Sequence, residues 1–292
     1  MRTYSFRRIL TVGAAAVAGA VSCLVAAAPA HAVPGLIVAI DWSDLTASES
    51  FKTAAATCPA GTVVLGGGVD VLGGGGQVRV VSMIPFDNGA AADTYYGVAV
   101  EDSTGYPANW TMYTWAICGS GVTGWQKVSA TGSSIGSTVG QLATCPAGKK
   151  VIGTGANIVG NVTKTFLNAV RPLTSALTAV QAEAAREDTA SGITVTVTSH
   201  AICVNPLPGQ QVVTTMGLVD SANAKYTRVM CPPGTKLHGT GGALHGANGE
   251  STIDRIGLLG SGAVEGADIE AREDETGFTG LWRADAWAIC AN

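Results

Sequence analysis

The chain has 292 residues, 47% of them hydrophobic and only 13% charged, with 39 glycines and a formal net charge of −4. No run of lysine and arginine occurs anywhere in it, which argues against nonspecific binding of nucleic acid or anionic membrane, because phosphate neutralisation needs clustered cations. The Gly, Thr and Val content favours strands over helices, and the length suffices for a substantial core in one domain or a few small ones.

Residues 1–32 read as an export signal. Arg2, Arg7 and Arg8 precede an uncharged run, "ILTVGAAAVAGAVSCLVAAA", and "AHA" at Ala30 to Ala32 offers the small residues a signal peptidase needs. A membrane anchor, acylation at Cys23 within "AVSC", and a twin-arginine signal at Arg7-Arg8 are the competing readings. Secretion with cleavage after Ala32, and no membrane insertion afterwards, is the expectation. The segment holds three of the 17 basic residues and none of the 21 acidic ones, so its removal moves the net charge to −7.

Beyond it lie six cysteines: Cys58, Cys118, Cys145, Cys203, Cys231 and Cys290. Their even number fits a disulfide framework in an oxidising compartment. Cys58 to Cys145 spans 87 residues and Cys145 to Cys231 spans 86, so the chain is three repeats, at approximately 37–120, 126–205 and 211–292 of a domain covering 33–292. Six cysteines allow fifteen connectivities. Two treat the repeats alike: Cys58–Cys118, Cys145–Cys203 and Cys231–Cys290 within repeats, or Cys118–Cys145, Cys203–Cys231 and Cys58–Cys290 between them. The first needs no meeting of distant chain ends and is expected, each bond contributing about 4 kcal/mol in the chain-entropy account.

Each repeat opens alike: "CPAGTVVLGGG" at Cys58, "CPAGKKVIGTG" at Cys145 and "CPPGTKLHGTG" at Cys231. The glycines suggest a phosphate loop, but a Walker loop needs Lys followed by Ser or Thr and then a helix, and neither follows. The expected structure is a Pro-x-Gly turn, a short strand, and a bulge or close backbone approach at the paired glycines. Next come Glu101-Asp102, Glu187-Asp188 and Glu273-Asp274, each followed by turn residues. They read as strand ends whose Asp opens an Asx turn; three equivalent calcium sites or acid/base pairs are the alternatives. "TAVQAEAARED", Thr178 to Asp188, has helical composition, yet its counterparts "TYYGVAVED" and "EGADIEARED" point to a strand.

The repeats close on Ala-Ile-Cys. Trp110 and Trp282 stand eight residues before that cysteine, and Trp115 and Trp287 three before it; the middle repeat has Val195 and His200 there. One tryptophan of each pair is expected inside. Its partner is placed nearer the surface, where an indole can stack on a sugar or simply anchor. His238 and His245, in "HGTGGALHG", occur only in the third repeat, and two ligands make no zinc site. No metal or cofactor is therefore expected. Neither a Gly-x-Ser-x-Gly elbow nor a His-Glu-x-x-His pattern occurs.

The "CPAGKKVIGTGA … AIC" unit resembles a repeat common in secreted bacterial proteins of uncharacterised role. The three-fold arrangement is more distantly similar to the vitelline membrane outer layer family. That resemblance, over roughly Ile37 to Asn292, implies a β-prism with three sheets around a pseudo-three-fold axis and a carbohydrate-related role. The family's acidic and Leu-Asn-rich signature is absent, and no catalytic residue carries over. The reading is an all-β, disulfide-stapled prism that binds glycan or cell-envelope polymer without catalysis, through Trp110, Glu101, Asp102, Glu187, Asp188, Glu273, Asp274 and Trp282. A single-site hydrolase or transferase near His238 and His245, and a structural envelope protein, are the alternatives.

Overall fold

The structure, a computed structural model, describes residues 33–43, 48–89, 93–173, 175–259 and 265–292. The expected signal segment, with Cys23, lies outside the described residues. Those described form strands and no helix. The first repeat supplies β1 (Ile37–Trp42), β2 (Phe51–Thr57), β3 (Val63–Leu72), β4 (Val78–Phe86), β5 (Thr94–Glu101) and β6 (Thr111–Gly119). The second supplies β7 (Gln126–Ser134), β8 (Thr138–Thr144), β9 (Lys150–Ile158), β10 (Thr165–Pro172), β11 (Ala179–Arg186) and β12 (Val195–Val204). The third supplies β13 (Gln211–Thr215), β14 (Ala224–Met230), β15 (Lys236–His245), β16 (Ser251–Leu259), β17 (Gly266–Glu273) and β18 (Arg283–Ala291).

Helix-favouring "TAVQAEAAR" is strand β11, because β8 and β10 satisfy its backbone on both sides while Val180, Ala182 and Ala184 enter the core. Tertiary pairing overrides local propensity there.

The strands make three six-stranded sheets, and no sheet belongs to one repeat. The first runs β1-β6-β3-β16-β17-β14, the second β2-β5-β4-β9-β12-β7, and the third β13-β18-β15-β10-β11-β8. Every repeat gives three strands to one sheet and three to the next. The joins are equivalent and short: Ser82↔Asn157 and Met83↔Ala156, Ala169↔Ala243 and Val170↔Gly242, Arg255↔Asp70 and Ile256↔Val69. The first sheet thereby unites the first repeat with the third, and the ring closes as a disulfide-stapled, β-prism-like fold.

The Cys-Pro-x-Gly segment is a turn before the third strand of each repeat. Thr62, Lys149 and Thr235 donate their N–H to the carbonyls of Pro59, Pro146 and Pro232. Gly61, Gly148 and Gly234 take φ of 82°, 83° and 85°, a left-handed region that favours glycine. The paired glycines lie inside long strands rather than after short ones, and a bulge falls each time at the residue before them: Leu65, Ile152 and His238. A Cβ on Gly66 would strike the His238 carbonyl; on Gly153, that of Leu65; on Gly239, that of Ile152. These three glycines let the repeats meet backbone to backbone at the axis. Gly68, Gly155 and Gly241 face Ile256, Met83 and Val170 across the joins.

The residue between the glycines closes a hydroxyl ring. Thr154 Oγ1 donates to the Thr240 carbonyl at 2.6 Å, and Thr240 Oγ1 to the Gly67 carbonyl at 2.8 Å. The first repeat has Gly67 and no hydroxyl there. Tyr95 fills the space with its ring and donates Oη to the Thr154 carbonyl at 2.8 Å.

The disulfides pair within repeats, Cys58–Cys118, Cys145–Cys203 and Cys231–Cys290, with Cα separations of 5.6 to 5.7 Å. Such bonds point to an oxidising environment.

Candidate functional site

The acidic turns of the three repeats converge at one end of the prism. Asp102, Ser103 and Thr104 of the first repeat, Glu187, Asp188 and Thr189 of the second, and Asp274, Glu275 and Thr276 of the third line a cavity of about 70 Å³ with Arg79. Arg79, itself buried, holds Glu187 at 2.6 Å and lies 3.6 Å from Asp102. Ser103 donates to Glu187, and Thr104 to Glu275 of the third repeat. Glu250 shares the end with Asp188 and Asp274. Burial, reinforced by those carboxylates, holds the Glu250 carboxyl above its ordinary value.

Backbone bonding corrects the alignment of the Glu-Asp pairs. Glu101 and Glu273 occupy the same place as Arg186, each donating its N–H to the residue before the second strand of its repeat: Ser50, Asn223 and Ser137. Asp102 and Asp274 then match Glu187, bonded to Gln77, Glu250 and Lys164. The middle motif is displaced by one residue. Asp102 and Asp274 are Asx-turn residues: Oδ1 of Asp102 accepts from Thr104 N–H, Thr104 Oγ1 and Gly105 N–H, and Oδ1 of Asp274 accepts from Thr276 N–H, Thr276 Oγ1 and Gly277 N–H. Each aspartate thus spends an oxygen on its own turn. Among the described residues, no group of three or more His, Cys, Asp and Glu is arranged to hold a metal ion.

Glu101 and Glu273 turn away from that cavity into the core. Trp110 donates Nε1–H to Glu101 at 3.1 Å and Trp282 to Glu273 at 2.8 Å. Lys52 lies 5.1 Å from the Trp110 ring and donates to its carbonyl; Lys225 lies 4.9 Å from the Trp282 ring and pairs with Asp220. In the middle repeat Val139, Arg186 and Val195 stand at the lysine, glutamate and tryptophan positions. All four tryptophans of the closing segments are buried, Trp110 at 2% and Trp282 at 1% exposure, so the expected surface indole is not found in either pair. Trp110 and Trp282 are closed in by these polar partners. Trp115 lies across Gly68 within the main core, and Trp287 lies beside Arg171, packed with Ala169 and Ala243.

His238 is fully buried, its Nδ1 2.9 Å from the Lys236 carbonyl, and burial lowers its pKa. His245, partly exposed, has Nε2 3.2 Å from Asp285. His200 replaces the tryptophan of the other repeats and bridges Ser129 Oγ and Asn157 Oδ1 at 2.7 and 2.9 Å.

The outward face of the first sheet carries a second candidate site, which the sequence alone did not suggest. One row of paired residues crosses all six strands: Trp42, Tyr113, Asp70, Arg255, Glu270 and Tyr226. Trp42 is 50% exposed and packs on Tyr113 with ring centroids 4.5 Å apart; Tyr226, at the far edge, is 45% exposed. Between them Arg255 pairs with Asp70 and Asp268, both at 2.8 Å, and Tyr226 Oη donates to Asp268 at 3.0 Å. Burial raises the Asp70 pKa to about 6, against the pull of Tyr113 and Arg255.

Beside this row β3 and β16 diverge beyond their two-residue join. The gap is a cavity of about 240 Å³ lined by Val71 to Gly75, Asp254, Glu270 and Arg272. Arg272 holds Asp254 at 3.0 Å, and burial pushes Asp254 up to about 7. Equivalent rows elsewhere lack aromatics: Thr53, Val98, Ser82, Asn157, Thr198 and Thr131 cross the second sheet, and Gly140, Glu183, Ala169, Ala243 and Asp285 the third. The signal available in sequence was this departure from three-fold likeness. No protein-family model matches the chain, and no curated protein is detectably similar to it.

Proposed function

We propose that the protein is a secreted, non-catalytic binding module for glycan or cell-envelope polymer, and that it binds through the outward face of the first sheet. One observation carries the reading: an exposed Trp42 packed on half-buried Tyr113 and an exposed Tyr226 stand at opposite edges of a sheet face whose centre is a hydrogen-bonded charge network. Aromatic faces stack on the C–H side of sugars while carboxylates and guanidinium groups take their hydroxyls. Five strand intervals separate the two edges, about 24 Å at the usual strand spacing, a length suited to several sugar residues. The distant similarity to the vitelline membrane outer layer family belongs to the same proposal.

The test is a titration of the oxidised protein with a glycan panel and isolated cell-wall polymers, with Trp42→Ala alongside. Saturable binding, weakened about tenfold by a variant that keeps its fold, supports the face, since an exposed aromatic platform contributes about 1 kcal/mol or more. Absence of binding by folded protein overturns the reading.

A further inference from the structure

The charge of the ligand follows from which groups on that face meet solvent. Arg255 and Arg272 show 21% and 48% of their side chains, whereas the carboxylates that pair with them are hidden: Asp70 at 3%, Asp268 at 2% and Asp254 at 10%. Arg228 is exposed as well, lying 4.6 Å from the Tyr226 ring, to whose Oη it donates. Arg255 is held at all three nitrogens, by Asp268, Asp70 and the Leu258 carbonyl, whereas Arg272 and Arg228 are held through Nε, to Asp254 and Tyr226. Glu270 is half-buried in the same row.

These arginines belong to the third repeat alone. Register places Ala55 and Leu142 where Arg228 stands, Ser82 and Ala169 where Arg255 stands, and Val100 and Ala185 where Arg272 stands. The prism would form without them, as its other two sheets show. Three arginines face four acids here, Asp70, Asp254, Asp268 and Glu270, so the distinction of this face is that its guanidinium groups are the more exposed partners, and planar guanidinium forks suit carboxylate and phosphate oxygens.

Building on the binding reading above, we infer that the first sheet's outward face takes a polyanionic polymer, its carboxylate or phosphate groups held by Arg228 and Arg272 and its other units stacked on Trp42–Tyr113 and Tyr226. Both sources present the same chemistry to the arginines.

The experiment titrates the full folded protein with polygalacturonate, poly(glycerol phosphate) and the neutral polymer dextran at low and high salt. Expected is binding of at least one polyanion and not of dextran, weakened about tenfold by raised ionic strength, because exposed charges are screened. A similar loss is expected in Arg228→Gln/Arg272→Gln. Arg228→Gln alone serves as the second variant should loss of the Arg272–Asp254 pair unfold the double one. The polyanion that binds identifies the source. Dextran binding of equal strength, or polyanion binding untouched by the arginine variants, overturns this inference and leaves the binding module standing. No binding to any of the three by folded protein overturns the inference, and failure on the wider panel too overturns both.

Discussion

The middle repeat and its two neighbours solve the same packing problem differently. Behind the acidic turns the outer repeats bury a lysine, a glutamate and a tryptophan that bond to one another or to nearby backbone: Lys52, Glu101 and Trp110, and Lys225, Glu273 and Trp282. The middle repeat has Val139, Arg186 and Val195, with both valines buried and the arginine half out. The strands keep the same pairing, so the fold needs filled space at this point and not that polar cluster. Both glycines of the Gly-x-Gly pair are kept in all three repeats, and the first is where the repeats meet backbone to backbone.

The largest effect should therefore come from that glycine, whichever repeat is altered. Gly66→Val, Gly153→Val and Gly239→Val each drive a side chain into the next repeat's backbone, and each should abolish recovery of folded, fully oxidised protein. Gly140→Ala, whose nearest neighbours lie at 3.5 Å or beyond, should stay within about 0.5 kcal/mol of the parent. Unequal effects among the three would end the account of a shared axis.

Next in size is the cluster itself. Trp282→Val should cost about 3 kcal/mol or more by urea denaturation, from the cavity and from removing the indole partner of Glu273. Lys225→Val/Glu273→Arg/Trp282→Val, which installs the middle repeat's residues together, should cost less than the single change, because no buried charge is left alone. A larger loss in the triple variant would show the two solutions are not interchangeable.

A pH effect separates the repeats at the closing strand. Burial, with a smaller push from Lys127, lowers His200 to about 4. The unfolded chain then binds a proton below about 6.5 that the folded chain refuses. Stability should fall as pH drops from about 6.5 to about 4, by about 3 kcal/mol at most. His200→Gln, which retains a polar partner for Ser129 and Asn157, should flatten that part of the profile; an unchanged slope would assign it to other groups.

The smallest effect tests the hydroxyl ring. Thr240→Val removes one donor and Tyr95→Phe removes the one that stands in for the hydroxyl Gly67 lacks. Each should cost about 1 kcal/mol in thermal or urea unfolding. A negligible cost for Tyr95→Phe alone would mean the ring tolerates an open carbonyl.

Much of the scaffold was legible. Cysteine spacing marked the repeats and narrowed the disulfides to two schemes, of which the preferred within-repeat one is present, and Gly-x-Gly suggested a bulge or a close approach, both of which occur. The division of each repeat between two sheets was not legible, because each join is two residue pairs long and carries no local signature. Aligning the acidic pairs by identity placed Glu187 one residue off, since Arg186 occupies the glutamate's place. Periodicity did not give the burial of all four tryptophans, which depends on Arg171, Lys225 and other side chains from distant strands. The outward row escaped because Asp70 and Arg255 meet across 185 residues of sequence.

The sharing of sheets also sets an order of assembly. Each disulfide spans one repeat, so oxidation can proceed on whatever part of the chain has emerged. The first sheet instead waits for β14, β16 and β17 of the third repeat. Until they arrive, β3 presents an unpaired edge, and the young protein is a chain with two open sheet borders that must find each other before anything else does.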